Sequence, residues 1–229
     1  MEMEKVLASK AKTQAHVNGF IQSVYNWMAI GLAVTGVLAY LVSEMFIVPR
    51  GLFFLLVIAQ LGMVFVLASK IQSLSAPMAT GLFVLYAALN GVTLSWIFLV
   101  YTSASITSTF FICALTFAAA SAYGMVTKKD LTSVGGFLMM GLIGIIIATV
   151  VNIFFRSPMV TMIVSYIGVF VFIGLTAWDT QKIKQMALSQ PADLDNATLR
   201  KGAIFGALSL YLDFINLFIM MLHIFGDRD

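Results

Sequence analysis

Charge is what this chain has least of: 10% of its residues are Asp, Glu, Lys or Arg, against 61% hydrophobic. A soluble domain of 229 residues needs far more polar surface than that, so the solvent is lipid, as the mean hydropathy of +1.00 also requires. Cysteine is almost absent. Cys113 stands alone inside an apolar stretch, which excludes an internal disulfide or a thiolate cluster and predicts a buried, inert thiol. The two histidines, His16 and His223, lie near opposite termini and at opposite ends of the topology argued below, so they cannot share a metal; His223 reads as an interfacial anchor. There is no Gly-rich phosphate loop, catalytic triad or cofactor signature, and the chain is read as non-enzymatic. Basic runs are short and lack an aromatic platform, which argues against nucleic acid. Short alternating segments, the mark of a membrane β-barrel, are missing too.

What is present is a series of seven apolar stretches, about 21–43, 51–69, 77–101, 105–126, 134–155, 158–181 and 202–225. Each is long enough to cross a ~30 Å hydrocarbon layer as a helix. The fold class predicted is an all-α polytopic membrane protein. Residues 1–20 read as a polar tail and 21–229 as one transmembrane domain, with the first stretch an uncleaved signal anchor. Lys5, Lys10, Lys12, Lys70, Lys128, Lys129, Lys182, Lys184, Arg200 and Lys201 fall on one side, and Arg50, Arg156 and Arg228 on the other. The positive-inside rule then places the N-terminus in the cytoplasm and the C-terminus outside. Trp27, Trp96 and Trp178 fall near stretch ends, where aromatic belts form. Asn90 and Asn152 suit hydrogen bonds between helices.

Eight of the ten acidic residues belong to tails and loops; Asp179 and Asp213 do not. Asp213 sits midway along the seventh stretch with no cation within nine residues. An ionised Asp at a helix centre costs roughly 2.5–3.5 kcal/mol on insertion scales, so the group must face inward, be paired or hold a proton. Gly202, Gly206, Ser209, Asp213, Asn216, Met220 and His223 follow alternating spacings of four and three, one face of a helix, and predict a central seventh helix with an inward polar stripe. Ser165, Gly168, Phe172, Thr176 and Asp179 form a weaker stripe on the sixth stretch. Counted inward from Lys182 and Lys201, the two aspartates differ in depth by about 13 Å, so spacing alone leaves open whether they meet or whether Asp179 pairs with Lys182 or Lys184. Lys70, at the end of the second stretch, is the basic residue best placed by depth to tune such a pair; a snorkelling anchor is its plainer role. An intramembrane aspartyl protease would carry Gly-x-Gly-Asp and Pro-Ala-Leu motifs, and neither occurs.

The segments "GLTAWDTQKIK" (174–184) and "LSLYLDFINLF" (208–218) resemble signatures of the Bax inhibitor-1 family of membrane proteins, and "KKDLT" (128–132) is similar to a third. The likeness covers essentially the whole chain and points to the bacterial inner-membrane branch. It implies a seventh helix surrounded by the other six, with Asp179 and Asp213 as a proton-sharing pair. In studied members the protonation state of that pair governs closed and open forms of a calcium-permeable leak. The partners implied are the bilayer, H+ and a transient Ca2+ weakly held by Asp179 and Asp213, with Ser209 and Asn216 as supporting oxygens. Family members also carry an arginine on the second helix that engages the ionised pair; here Lys70 is its nearest counterpart. Some bacterial relatives instead regulate a membrane-anchored protease, for which the N-terminal tail would be the docking segment.

Overall fold

A computed structural model describes residues 2–191 and 194–228, with side chains from residue 14 onward. The chain is a succession of helices: α1 (Glu2–Met45), α2 (Arg50–Lys70), α3 (Ala76–Leu94), α4 (Ile97–Val100), α5 (Ser103–Val126), α6 (Thr132–Phe155), α7 (Pro158–Ser189) and α8 (Asn196–Phe225). Among the described residues seven segments are long and apolar enough to cross a membrane, with α3 and α4 forming the third and α7 and α8 the sixth and seventh. Among the described residues the one pairing of strand type is an isolated antiparallel bridge between Tyr101 and Arg228.

Local chemistry sets the helix ends. Ser75 caps α3 by accepting the Met78 N–H at 3.4 Å, and Pro77 follows where a missing N–H costs nothing. Thr102 caps α5 through the Ser105 N–H at 3.2 Å, and Asp195 caps α8 through the Thr198 N–H at 3.2 Å. The third span breaks after Leu94, where Thr93 and Ser95 hydroxyls bond back to carbonyls of their own turn.

Two extensions correct the sequence-derived boundaries. The polar residues 2–20 are helical and continue into the first span as α1. More important, α7 runs on to Ser189 and α8 already begins at Asn196, so Lys182, Lys184, Arg200 and Lys201 lie within helices. Nothing in their side chains forbids a helix; their charge marks where lipid ends, and the hydrogen-bonded backbone simply continues into water.

The chain divides into two compact units, residues 1–96 with 182–209, and 97–181 with 210–229. In the first, α1 packs on α3 at Gly91, where an added Cβ would lie 2.7 Å from the Thr35 carbonyl, and Thr35 donates to the Ala87 carbonyl at 2.8 Å. Gln60 of α2 is buried and donates to Thr93 at 3.1 Å. Asn90 bonds back to Tyr86 of its own helix at 3.4 Å, a local contact rather than the expected interhelical one. In the second unit, α5 meets α7 where Gly124 abuts the Ala177 backbone, and α6 meets α7 where Gly135 lies under the Trp178 ring. Trp178 therefore packs on a neighbouring helix, its ring occupying the space that a side chain at Gly135 would need. Phe110 and Phe117 of α5 stack edge-on against Phe214 of α8.

The helix predicted to be central is the most enclosed. In its apolar window 67% of α8 is buried, against 6% for α6.

Candidate functional site

Asp213 lies in the middle of α8 and is 5% exposed, between Leu212 and Phe214. Its Oδ2 atom is fully buried and accepts no hydrogen bond, although the residue as a whole has interactions. Asp179 is half-buried on α7, between Trp178 and the fully buried Thr180. Both aspartates belong to the second unit.

The two stripes read from the sequence face each other across α7 and α8. His223 Nδ1 lies 3.1 Å from the Ser165 hydroxyl, and Met220 fills the space beside Gly168. These pairs share one antiparallel register, and carrying it inward sets Phe172 level with Asn216 and Leu175 level with Asp213. Asp179 follows four residues later on α7, about 6 Å further along. Side chains lean towards the N-terminus of their own helix, and in an antiparallel pair those leans converge. The depth difference of about 13 Å is thus corrected: it used Lys182 and Lys201 as level marks, and both lie inside helices that extend past the apolar segment.

Three neighbours fix Asp179 in place. Trp178 is seated on Gly135, and Thr180 donates to the Ser121 hydroxyl at 3.1 Å. The Gln181 amide bridges the loop between α5 and α6, accepting the Leu131 N–H at 2.9 Å and donating to the Lys129 carbonyl at 2.8 Å. The segments "AWDTQ" and "KKDLT" are therefore one contact, with Gln181 as the link. Outside the membrane, Asp130 in that loop accepts hydrogen bonds from Thr132, which hold its carboxyl below the usual range.

Other predicted residues fall as follows. Asn216 is half-buried and its amide nitrogen bonds back to the Leu212 carbonyl at 2.8 Å, leaving Oδ1 as its acceptor. Ser209 is half-buried on the same face. Lys70 is the last residue of α2, with an exposed side chain, in the first unit. Asn152 clamps the turn between α6 and α7, donating to the Ser157 carbonyl at 3.1 Å and to the Thr161 hydroxyl at 2.9 Å. Cys113 is fully buried, its thiol 3.8 Å from the Phe214 carbonyl. Sequence reasoning missed Gln60, Gln181 and Thr180. The first was visible as a polar residue inside an apolar stretch; the other two lay beside Asp179 in the same motif. Among the described residues no three His, Cys, Asp or Glu side chains are grouped to hold a metal.

Comparison with known proteins agrees with this architecture. A family model described as inhibitor of apoptosis-promoting Bax1 matches residues 17–229. The inner membrane protein YbhL of Escherichia coli K12 is 49% identical over 226 residues, covering 96% of both chains. An uncharacterised protein of Deinococcus radiodurans is 40% identical, covering 99% of this chain and 98% of its own. One from Borreliella burgdorferi is 43% identical, covering 92% and 93%.

Proposed function

This chain belongs to the Bax inhibitor-1 family, and from that premise we propose that it is a bacterial inner-membrane protein in which Asp179 and Asp213 share a proton and gate a calcium-permeable leak. The observation that carries the reading is the burial of Asp213, midway along the most enclosed helix. Two carboxylates in a low-dielectric site cannot both ionise cheaply, so one keeps its proton near neutral pH. When that proton leaves, repulsion between α7 and α8 favours the arrangement that separates them or admits water and a cation.

Calcium in this scheme is cargo. It wants six to eight oxygens, and two carboxylates with Asn216 Oδ1, Ser209 and water make a site weak enough to release the ion again. The cytoplasmic placing of the N-terminus rests on the bias of basic residues.

Calcium flux into proteoliposomes, from about pH 5 to about pH 9 to span the range of a shared proton, tests the proposal with wild type beside Asp213→Asn and Asp179→Asn. Flux that depends on pH and changes with both substitutions supports it. Flux no greater than in empty liposomes sinks it, and transfers weight to a regulator that binds a membrane-anchored protease. The helical continuation of α1 through residues 2–20, ahead of the first apolar stretch, favours that second reading.

A further inference from the structure

Where α6, α7 and α8 leave the apolar layer at the end that carries the C-terminus, the second unit holds a cavity of about 470 Å³. Asn152, Arg156, Thr161, His223 and Arg228 contribute its polar lining, and among the described residues no carboxylate lines it. Three structural features build it.

The first is the turn after α6. Arg156 closes that helix in the left-handed conformation, φ 51°, with its N–H on the Asn152 carbonyl at 2.7 Å. Glycine or asparagine is the usual occupant there, so an arginine is kept against the backbone's preference. Asn152 then locks the turn: besides its two donated bonds, its Oδ1 accepts the Ser157 N–H at 2.9 Å. The second is the C-terminal strap. Arg228 bridges to Tyr101, stands 5.8 Å from the centre of its ring, and follows Asp227, whose carbonyl accepts the Thr102 N–H at 3.1 Å. The Asp227 N–H donates to Ser105 at 2.9 Å, and that hydroxyl lies 3.4 Å from the Asp227 carboxylate, which is thereby engaged by α5. The third is His223, whose Nδ1 meets Ser165 and leaves Nε2 for another partner.

Asn152 and Thr161 have spent their donors on the turn, Thr161 through its bond to the Ser157 carbonyl at 3.2 Å. The donors left over are two guanidinium forks, with no acid among the described lining residues to neutralise them. Guanidinium forks match the paired oxygens of a phosphate group. The cavity volume is that of a small-molecule site, and its depth is that of lipid headgroups.

We infer that this cavity binds a phosphate group, held between Arg156 and Arg228 with His223 behind them, carried either by an anionic phospholipid or by a small soluble phosphate. This site is separate from the aspartates and stands whether or not they gate a leak.

The test uses the full chain in neutral detergent, with native mass spectrometry and thermal melting as readouts. The probes are phosphatidylglycerol, phosphatidylcholine and inorganic phosphate. The variants are Arg156→Gly, Arg228→Gln and both together, with Arg50→Gln as a control that removes an arginine from another helix end. Arg156→Gly should fold at least as well as wild type, because glycine suits the left-handed turn. Preference for phosphatidylglycerol over phosphatidylcholine, or a melting shift with inorganic phosphate, is expected in wild type and identifies which source is bound. Each arginine variant should weaken that binding roughly tenfold, the value of a charge-assisted hydrogen bond. The proposal is overturned if the double variant binds as wild type does, if Arg50→Gln loses as much, or if wild type binds neither phosphate probe.

Discussion

Gln181 accepts the Leu131 backbone N–H at 2.9 Å, and through that bond the residue two places after Asp179 holds the loop between α5 and α6. The other end of the same amide donates to the Lys129 carbonyl. Gln181 and Leu131 are both buried, so neither group has water to fall back on. Gln181→Ala should lower stability by about 1–3 kcal/mol, the cost of leaving a buried polar group unpaired. Gln181→Glu keeps the acceptor for Leu131 but loses the donor to Lys129, and should lose part of that. Thermal melting in detergent measures both; a melt unchanged in Gln181→Ala would mean the loop is held by other contacts.

The glycines of the second unit support a sterner expectation. A Cβ at Gly124 would run into the Ala177 backbone, which unlike a side-chain tip cannot turn aside. Gly124→Ala should therefore separate α5 from α7 and cost about 1–3 kcal/mol, the range for overpacking. Gly174→Ala meets only the tip of Leu138, a flexible side chain, and should cost less. Comparing the two melting temperatures checks the order; equal losses would contradict the packing argument.

Much of this was legible in the sequence, and the reason is physical. Lipid demands unbroken apolar segments, so spans are written in composition, and a mid-membrane carboxylate stands out against them. The stripes were legible for the same reason: Ser165 and His223, or Gly168 and Met220, have few apolar-facing alternatives at helical spacing. What composition cannot show is where a helix ends once it has left the lipid. Lys182 and Lys201 read as loop residues and are helical, and that error alone produced the misplaced depth of the aspartates. Nor can it show that Trp178 finds a hollow at Gly135, a contact between residues far apart in sequence.

Outside the membrane, two carboxylates tie local structure to pH. Asp130 is held below the usual range by its hydrogen bonds to Thr132, and Asp195 by those to Thr198. A carboxyl whose folded pKa is depressed adds stability above its unfolded pKa of about 3.9, and that stability is lost as pH falls through the folded value. Both groups are fully exposed, so the effect is local: the first turns of α6 and α8 should loosen below about pH 4 and hold at neutral pH. Amide exchange at Thr132 and Thr198 reads this directly. Asp195→Ala should raise exchange at Thr198 already at neutral pH, while Asp195→Asn, which can still cap, should change it little.

The proposed gate makes a prediction for the single thiol. Cys113 is fully buried, and its sulfur lies against the carbonyl of Phe214, the residue next to Asp213. In the closed form a membrane-permeant maleimide should therefore label it slowly. If ionisation of the aspartate pair parts α8 from its neighbours, labelling should accelerate as pH rises. Rising pH also creates more thiolate, which speeds labelling by itself. Asp213→Asn separates the two causes, because it keeps the thiol and its surroundings but removes the ionisation. Wild type should show a step in labelling rate above the smooth thiolate rise, and Asp213→Asn should show only the rise. Identical curves for wild type and Asp213→Asn would mean that α8 does not move when Asp213 ionises, and the gate would have to be sought elsewhere.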